Sequence, residues 1–250
     1  MTHEGEIGIQ AFLSTRWQKA MQAALERNAG ELMPGLAHNL HNYAHSFSMQ
    51  MELLHNAWQR NPEASLSSQQ RSLQRMTGFS SDFSSACAIL SNRNIFTQFE
   101  PDRIDLVPFL DWLQDFWRHN LFFKHRIQLD ISLGQEVPEQ ISLPPGGLVY
   151  CLEEGLKNGM EPLAVTGENQ ANYHFQLKVT AGREVLEFVL QTPTSLDPSL
   201  DHWQVGTSTK TGHLGLGLPL LRIGCREMGW ECRLSGDSSS TALSFAVPTR

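Results

Sequence analysis

A glycine-rich segment near the C-terminus is the strongest candidate for binding phosphate. Residues 209–219 place Gly212, Gly215 and Gly217 beside Lys210, directly before a predicted helix. Glycine lets backbone N–H groups approach an anion closely, and a helix N-terminus and a lysine ammonium both attract negative charge. The segment therefore predicts an anion-binding turn.

A histidine on a predicted helix is a candidate nucleophile. Apolar residues at Leu36, Leu40 and Tyr43 define one face of this helix, and His38 points away from that face. An exposed imidazole offers a nucleophilic ring nitrogen, and phosphorylation there gives a phosphoramidate that can be passed on. Asn42 follows one helical turn later.

Glu154 and Asn158 form the third candidate group. Their spacing of four residues places both on one face of a predicted helix, 147–160. Oxygen atoms of such side chains suit Mg²⁺, particularly when phosphate oxygens complete the coordination.

The N-terminal part of the chain is predicted to be helical. A first helix over 9–29 is expected to be interrupted or kinked by Gly30 and Pro34. A long helix then follows, and after turn-forming residues at 61–65 the same period continues. Its apolar seam comprises Leu36, Leu40, Tyr43, Phe47, Met51, Leu54 and Trp58 in the first arm, and Leu66, Leu73, Met76, Phe79, Phe83, Cys87 and Leu90 in the second.

This hairpin leaves part of its apolar seam without a partner. A second copy would cover the seam by forming a four-helix bundle, so we predict a homodimer with two-fold symmetry. Beyond a boundary at 92–101, strands and helices are interspersed, which predicts an α+β sandwich. The helices are expected at 106–120, 147–160 and 218–228, and the strands at 126–132, 173–180, 185–191, 231–235 and 242–247.

Composition limits the class of protein. The chain has 250 residues, a formal net charge of -7 and 40% hydrophobic residues, and it lacks the basic stripe of a sequence-independent nucleic-acid binder. Its four cysteines form no CxxC pair, which gives no indication of a zinc site or a disulfide framework. No apolar run reaches the ~18 residues of a membrane span, and no signal peptide is recognisable. We therefore expect a cytoplasmic protein without a membrane segment.

The segment TKTGHLGLGL at 209–218 resembles the second glycine box of the histidine-kinase ATP-binding domain, TK-x-G-x-x-GLGL. The segment HNLHN at 38–42 is similar to the phosphoacceptor box of that family, and EGLKN at 154–158 to its asparagine box, E-x-x-x-N. The resemblance covers roughly residue 32 to the C-terminus. It implies a dimerisation and phosphoacceptor hairpin at 31–98 and an ATPase-like catalytic domain at 102–250, and the helical pattern before the hairpin leaves a helical extension at 1–30.

The resemblance also implies roles for individual residues. His38 would accept the phosphoryl group with Asn42 at the fifth position of the box, and Asn158 would hold Mg²⁺ against the triphosphate of ATP. The cofactor-binding residues would be Glu154, Asn158, Gln191, Lys210, Gly212, Gly215 and Gly217.

Two family motifs are altered in this chain. The acidic residue after the acceptor is replaced by Asn39, and an amide cannot act as a general base. The first glycine box, D-x-G-x-G, is replaced by QTPTS at 191–195, so Gln191 offers only a neutral amide oxygen to adenine. The family's phenylalanine box is not recognisable in this chain, and Trp203 is a candidate replacement for its aromatic residue.

Two functions from different classes remain open. The first is an ATP-dependent histidine kinase that phosphorylates His38 and transfers the phosphoryl group to a response-regulator aspartate. The alternative is a histidine phosphotransferase or pseudokinase dimer that does not use ATP and docks response-regulator receiver domains. His41 and His45 lie one turn apart, but no carboxylate pattern of a metal site accompanies them.

Overall fold

The computed structural model describes residues 3–60, 66–165, 172–197, 199–207 and 215–249, with side chains from residue 16 in the first helix and from 69 in the second. Helix α1 spans His3–Arg60 and helix α2 spans Leu66–Phe96. The two helices pack against each other as the predicted hairpin. The predicted turn at 61–65 lies outside the described residues.

Helix α1 continues through the point where an interruption was expected. Pro34 lies inside the helix, and Gly30 lies one turn before it. A proline in a helix removes one backbone hydrogen bond and crowds the preceding turn, but burial of the apolar residues on both sides offsets this cost. Leu25 and Leu36, which flank the site, are both almost completely buried. The helix is not interrupted at this point, so of the two predicted effects only a kink stays a prediction, and the predicted boundary between residues 30 and 31 falls inside α1.

The remainder of the chain forms the predicted α+β sandwich. Its elements in order are β1 (Asp102–Asp105), α3 (Leu106–Trp117), α4 (Leu121–Arg126), β2 (Ile127–Leu133), β3 (Gln140–Leu143), α5 (Pro145–Val165), β4 (Tyr173–Ala181), β5 (Val185–Thr192), α6 (Gly217–Glu227), β6 (Glu231–Gly236) and β7 (Thr241–Pro248). The short elements β1, α4 and β3 were not predicted. All other predicted helices and strands of the sandwich are present.

The main sheet has five strands in the order β2-β4-β5-β7-β6, and β1 pairs separately with β3. Strands β2 and β4 are parallel, whereas the other neighbours in the main sheet are antiparallel. Alternate residues of β5 point to the buried face, as expected when one face of a sheet packs on helices and the other faces solvent. No helix among the described residues is long and apolar enough to cross a membrane.

The N-terminal half of α1 packs on the sandwich and not only on α2. Trp17, Met21, Leu25 and Leu32 belong to the same buried cluster as the apolar residues of α3, α5 and the sheet. Helix α1 contacts both α5 and α6. The part of α1 from Trp17 to Leu32 therefore completes the core of the sandwich.

The C-terminal half of α1 has a different environment. Along the predicted seam Leu36 is buried, but Phe47, Met51 and Trp58 are 37%, 47% and 57% exposed. On α2, Leu73 is also exposed. The hairpin thus presents an apolar surface that α2 does not cover, and the homodimer stays a prediction.

Candidate functional site

His38 lies on the exposed surface of α1, as predicted from its position relative to the seam. The amide Nδ2 of Asn42 lies 3.0 Å from His38 Nε2, one helical turn away. In the tautomer with its proton on Nδ1, the ring accepts this bond from the amide NH₂ group at the Nε2 lone pair. Since Asn42 is itself exposed, its side chain can rotate away and release the nucleophilic nitrogen.

The residue after His38 contacts the sandwich. Nδ2 of Asn39 lies 3.0 Å from Nδ1 of His119, at the end of α3. A side chain at Gly35 would collide with the backbone carbonyl of His119, so the two segments touch closely at this level. Burial, and then the nearby Lys124, lowers the pKa of His119, which favours the neutral ring that accepts from Asn39. Asn39, which replaces the acidic residue of the family motif, therefore has a structural contact with the sandwich.

A buried ion pair joins the hairpin to the predicted asparagine-box helix. Glu153 on α5 is 0% exposed, and both of its carboxylate oxygens accept from the guanidinium of Arg93 on α2, at 2.6 and 3.3 Å. Arg93 also donates to the carbonyl of Leu25 at 2.6 Å and lies over the ring of Phe116. Such a bidentate pair fixes both position and orientation.

Polar contacts extend this junction along α1. Asn28 is buried and donates to Glu153 at 3.2 Å, while its oxygen accepts from Lys157 Nζ at 3.0 Å. Lys157 also forms an ion pair with Glu31 at 2.9 Å. Helices α1, α2 and α5 are thus connected by several charge-assisted hydrogen bonds in a region of low solvent access.

The structure separates the two residues of the predicted E-x-x-x-N pair. Glu154 is buried between α1 and the start of α6, where its carboxylate lies against Gly217 and 3.6 Å from Arg27. Burial raises the pKa of the Glu154 carboxyl, although Lys157 and Arg27 act in the opposite direction. Asn158 instead lines a cleft, and its Nδ2 donates to the carbonyl of Glu154 at 2.8 Å. Its amide oxygen is the atom that suits a hard cation.

The cleft lies between α5, the C-terminal part of β5, β7 and the start of α6. Its volume is 100 Å³. Apolar side chains form much of its wall, and its polar groups are amide, hydroxyl and imidazole groups. The lining residues beside Asn158 include Leu190, Thr192, Thr194, Leu218 and Thr241.

Three threonines close the cleft at the position of the altered first glycine box. The hydroxyl groups of Thr192 and Thr194 lie 2.9 Å apart, and Thr241 donates to the carbonyl of Thr194 at 2.7 Å. Thr192 and Thr194 are both buried. Two of the hydroxyl groups bond each other and the third donates to a backbone carbonyl, and this end of the cleft carries no carboxylate among its described residues. Sequence reasoning missed them, although a Thr-x-Thr run at the end of an alternating strand was a usable signal.

Gln191 is not brought to the cleft. Residues of β5 alternate, with Leu190 and Thr192 on the buried face and Gln191 on the exposed face. Gln191 pairs with Gln176 and Ala242 across the sheet, and the cleft lining does not include it. The suggestion that its amide oxygen could reach adenine has no support in this geometry.

The glycine-rich turn is described only at its end. Gly215 has φ of +60°, and a side chain there would meet the backbone of Thr207, so the position requires glycine. Gly217 begins α6 and contacts Glu154. Lys210 and Gly212 lie outside the described residues.

The described residues match only part of what ATP and Mg²⁺ require. Asn158 offers a suitable metal ligand, and Gly215 allows close backbone approach. The N-terminus of α6, however, already has the Glu154 carboxyl beside it, and the cleft is smaller than the roughly 300 Å³ at which ligand pockets usually begin. The end of the cleft at the altered first glycine box, where the adenine base would lie, also lacks a carboxylate in the part of the chain that is described. The described residues alone therefore do not form a complete nucleotide site, and Lys210 and Gly212 lie outside them.

Two further groups of side chains, histidines of α1 and the cysteines, are of types that support metal or redox chemistry. His41 and His45 stack with ring centroids 6.4 Å apart. Within the described ranges, no cluster of three or more His, Cys, Asp or Glu side chains could hold a metal ion. All four cysteines are free thiols, and Cys151 and Cys225 lie with their sulfurs 3.6 Å apart between α5 and α6.

Comparison with solved structures finds histidine kinases. The nucleotide-free catalytic domain of histidine kinase ThkA is 13% identical, with 60% of this chain and 96% of that chain covered and a TM-score of 0.48. Histidine kinase AdeS of Acinetobacter baumannii is 8% identical, with 85% and 98% covered and a TM-score of 0.44. Full-length ShkA in complex with AMPPNP is 15% identical, with 96% and 45% covered and a TM-score of 0.49. No protein-family model matches this chain, and no curated protein matches its sequence.

Proposed function

We propose that this chain is a histidine-kinase-like signalling protein in which His38 carries a phosphoryl group between receiver domains. The observation that carries the proposal is the exposed imidazole of His38, whose Nε2 lone pair is held by Asn42 at 3.0 Å. The resemblance of 38–42 to the family's phosphoacceptor box assigns the same residue. The partner is a response-regulator receiver domain, and the working unit is a homodimer that covers the apolar surface of the hairpin.

The transfer step is a displacement at phosphorus. Asn42 rotates away, and the Nε2 lone pair of His38 attacks the phosphorus of the aspartyl phosphate on the receiver. The bond from phosphorus to the aspartate oxygen breaks, and the receiver aspartate leaves as a carboxylate. The Nδ1 proton of the phosphorylated ring passes to water, since His38 is exposed. Transfer to a second receiver is the same step in reverse, so alignment of the two reactants supplies most of the catalysis.

The properties of the cleft favour transfer between receivers over direct use of ATP. Its neutral threonine end and the Glu154 carboxyl beside Gly217 both disfavour a nucleotide triphosphate. In addition, the buried Arg93–Glu153 pair holds α5 against the hairpin. A kinase cycle requires the nucleotide-bearing domain to move relative to its histidine, and this junction opposes such motion.

The decisive experiment starts from a receiver domain labelled with radioactive acetyl phosphate. We expect acid-labile label to appear on the wild-type chain and on His41→Ala, but not on His38→Ala. The His41→Ala variant is the matched control, because His41 is also an exposed histidine of α1. Label on His38→Ala, or none on the wild-type chain with any receiver, would contradict the proposal.

The second candidate function is an ATP-dependent histidine kinase, and the specific observation in its favour is the glycine-requiring turn at Gly215. In that case Asn158, Lys210 and the backbone of 212–217 would hold Mg²⁺ and the phosphates, and ATP would supply the phosphoryl group for His38. Calorimetric titration with ATP and Mg²⁺ distinguishes the two. We expect a Kd in the millimolar range or no heat, whereas a micromolar Kd together with labelling of His38 from ATP would support the kinase.

A further inference from the structure

Two segments of the sequence, one of which carries His38, contain no acidic residues. The chain has a formal net charge of -7, yet residues 32–51 of α1 contain neither Asp nor Glu. Residues 116–129, which include the end of α3 and all of α4, also contain none. The same segments carry five of the ten histidines of the chain, namely His38, His41, His45, His119 and His125.

These two segments are neighbours in the structure. The contact between Asn39 and His119 at 3.0 Å joins them, and Gly35 lies directly against the backbone of His119. The residues 118–126, here termed the α3–α4 corner, therefore lie beside the helical turn that carries His38. The two acid-free segments form one continuous surface.

The α3–α4 corner combines positive charge with an exposed apolar side chain. Lys124 and His125 are exposed, and within the described part of the chain their side chains form no hydrogen bond or ion pair. Arg118 is exposed and pairs with Asp115 at 2.8 Å. Leu121, at the start of α4, is 61% exposed. An exposed leucine bordered by cations is typical of a docking surface with an apolar centre and a charged rim.

We propose that the α3–α4 corner, together with the exposed face of α1 around His38, is the docking surface for the acidic phosphoacceptor face of a receiver domain. The inference rests on the proposed function, because a receiver aspartate must reach His38. Phosphoryl transfer to an aspartate requires a divalent cation, and carboxylates are the ligands that hold such a cation. The face that approaches His38 is therefore acidic, and it complements the acid-free region and the cations of the corner.

Two residues of the corner have separable roles. Lys124 attracts the acidic partner before contact, so it acts mainly on the association rate and its effect weakens as salt increases. Leu121 is buried only after docking, so its loss acts mainly on the dissociation rate. Neither residue contacts the reacting atoms, and the chemistry at His38 is left intact when either is changed.

The test uses each receiver domain encoded by the source genome, purified individually, and measures both binding by calorimetry and transfer of label to and from His38. For every receiver that exchanges label, we expect Lys124→Glu to slow transfer about tenfold at low salt, with a smaller difference at high salt. We expect Leu121→Ala to raise the Kd by about fivefold or more at any salt concentration. Lys178→Glu is the matched control, because Lys178 is an exposed lysine on β4 and the same change in net charge there should leave transfer and binding unaltered.

The outcomes separate this inference from the proposed function. Normal exchange by both Lys124→Glu and Leu121→Ala would overturn the docking surface while leaving His38 as the phosphoryl carrier. An equal loss in Lys178→Glu would also overturn it, because the effect would then come from overall charge. If no receiver exchanges label with the wild-type chain, the proposed function fails, and the calorimetric comparison of wild type and Lys124→Glu still decides whether the corner binds receivers. Absence of any such binding overturns the inference as well.

Discussion

The two halves of helix α1 follow the same apolar period but have different surroundings. Before residue 37, Met21, Leu25 and Leu32 are buried against the sandwich, and Asn28 takes part in the charged junction with α5. Beyond His38, apolar residues at the same spacing remain exposed, as at Met51. Apolar spacing therefore identifies a face that needs a partner, but it does not identify that partner. The partner of the first half belongs to the same chain, and we propose that the partner of the second half is another copy of the chain.

The largest expected effect comes from breaking the junction of the first half. Arg93→Ala leaves the Glu153 carboxylate buried without its partner, which should lower the free energy of unfolding by about 3–5 kcal/mol. Denaturant titration followed by circular dichroism measures this. Arg118→Ala is the control, since its ion pair with Asp115 is exposed and its loss should cost at most about 1 kcal/mol. Equal effects of the two changes would show that the junction does not hold the hairpin to the sandwich.

The second prediction concerns apolar packing in the same half. Leu25→Ala should lower the free energy of unfolding by about 2–5 kcal/mol, because Leu25 is almost completely buried and its truncation leaves a cavity. The comparison is Leu53→Ala, at an exposed position of the second half, which should change stability by no more than about 0.5 kcal/mol. A comparable loss in Leu53→Ala would mean that both halves are covered in the same way.

The third prediction is a pH dependence that originates at the junction. Because the pKa of Glu154 is raised in the folded state, the folded chain binds more protons than the unfolded chain between the ordinary carboxyl pKa and the raised one. This contribution to stability is fully present below the ordinary pKa and is lost as pH rises through the raised value. Glu154→Gln should therefore unfold with a weaker dependence on pH over this range. Glu187→Gln, at an exposed position of β5, should retain the wild-type slope.

The smallest effect on the stability of a single chain is expected in the second half. Met51→Lys should alter the free energy of unfolding of the dilute chain by about 0.5 kcal/mol or less, because Met51 is exposed. At concentrations where the wild type pairs, the same change should halve the mass measured by light scattering. Val107→Lys places the same charge at an exposed position of α3 and should leave the mass unchanged. A wild-type chain that stays monomeric at all concentrations would exclude the proposed bundle.

Much of the secondary structure could be predicted because it depends on local pattern. The apolar spacing in 106–120 and the alternation in 173–191 correspond closely to α3, β4 and β5. Strands β1 and β3 have four residues each, too few for a period to be recognised. The passage of α1 through Pro34 depends on burial contributed by residues far along the chain, which local propensity does not include.

For the same reason, the sequence predicted the local features of the candidate site but not its long-range contacts. The exposure of His38 follows from the apolar spacing around it, and the requirement for glycine at Gly215 follows from its turn. The pairing of Arg93 with Glu153 joins residues 60 positions apart, and that of Asn28 with Glu153 joins residues 125 apart. No local pattern predicts such pairs. The orientation of Gln191 was missed because a strand presents alternate residues to opposite faces, and the assignment depended on a motif and not on that alternation.

Helix α1 has 58 residues, which corresponds to a length of roughly 87 Å at 1.5 Å per residue. Its first half packs on the sandwich and its second half carries His38, which we propose as the phosphoryl carrier, so one continuous helix connects the two. Because the buried junction holds this first half on the sandwich, a reorientation of the sandwich would turn His38 with it. Mechanical coupling of this kind requires no change in secondary structure, and it would allow an event on the sandwich to aim or withdraw the nucleophile.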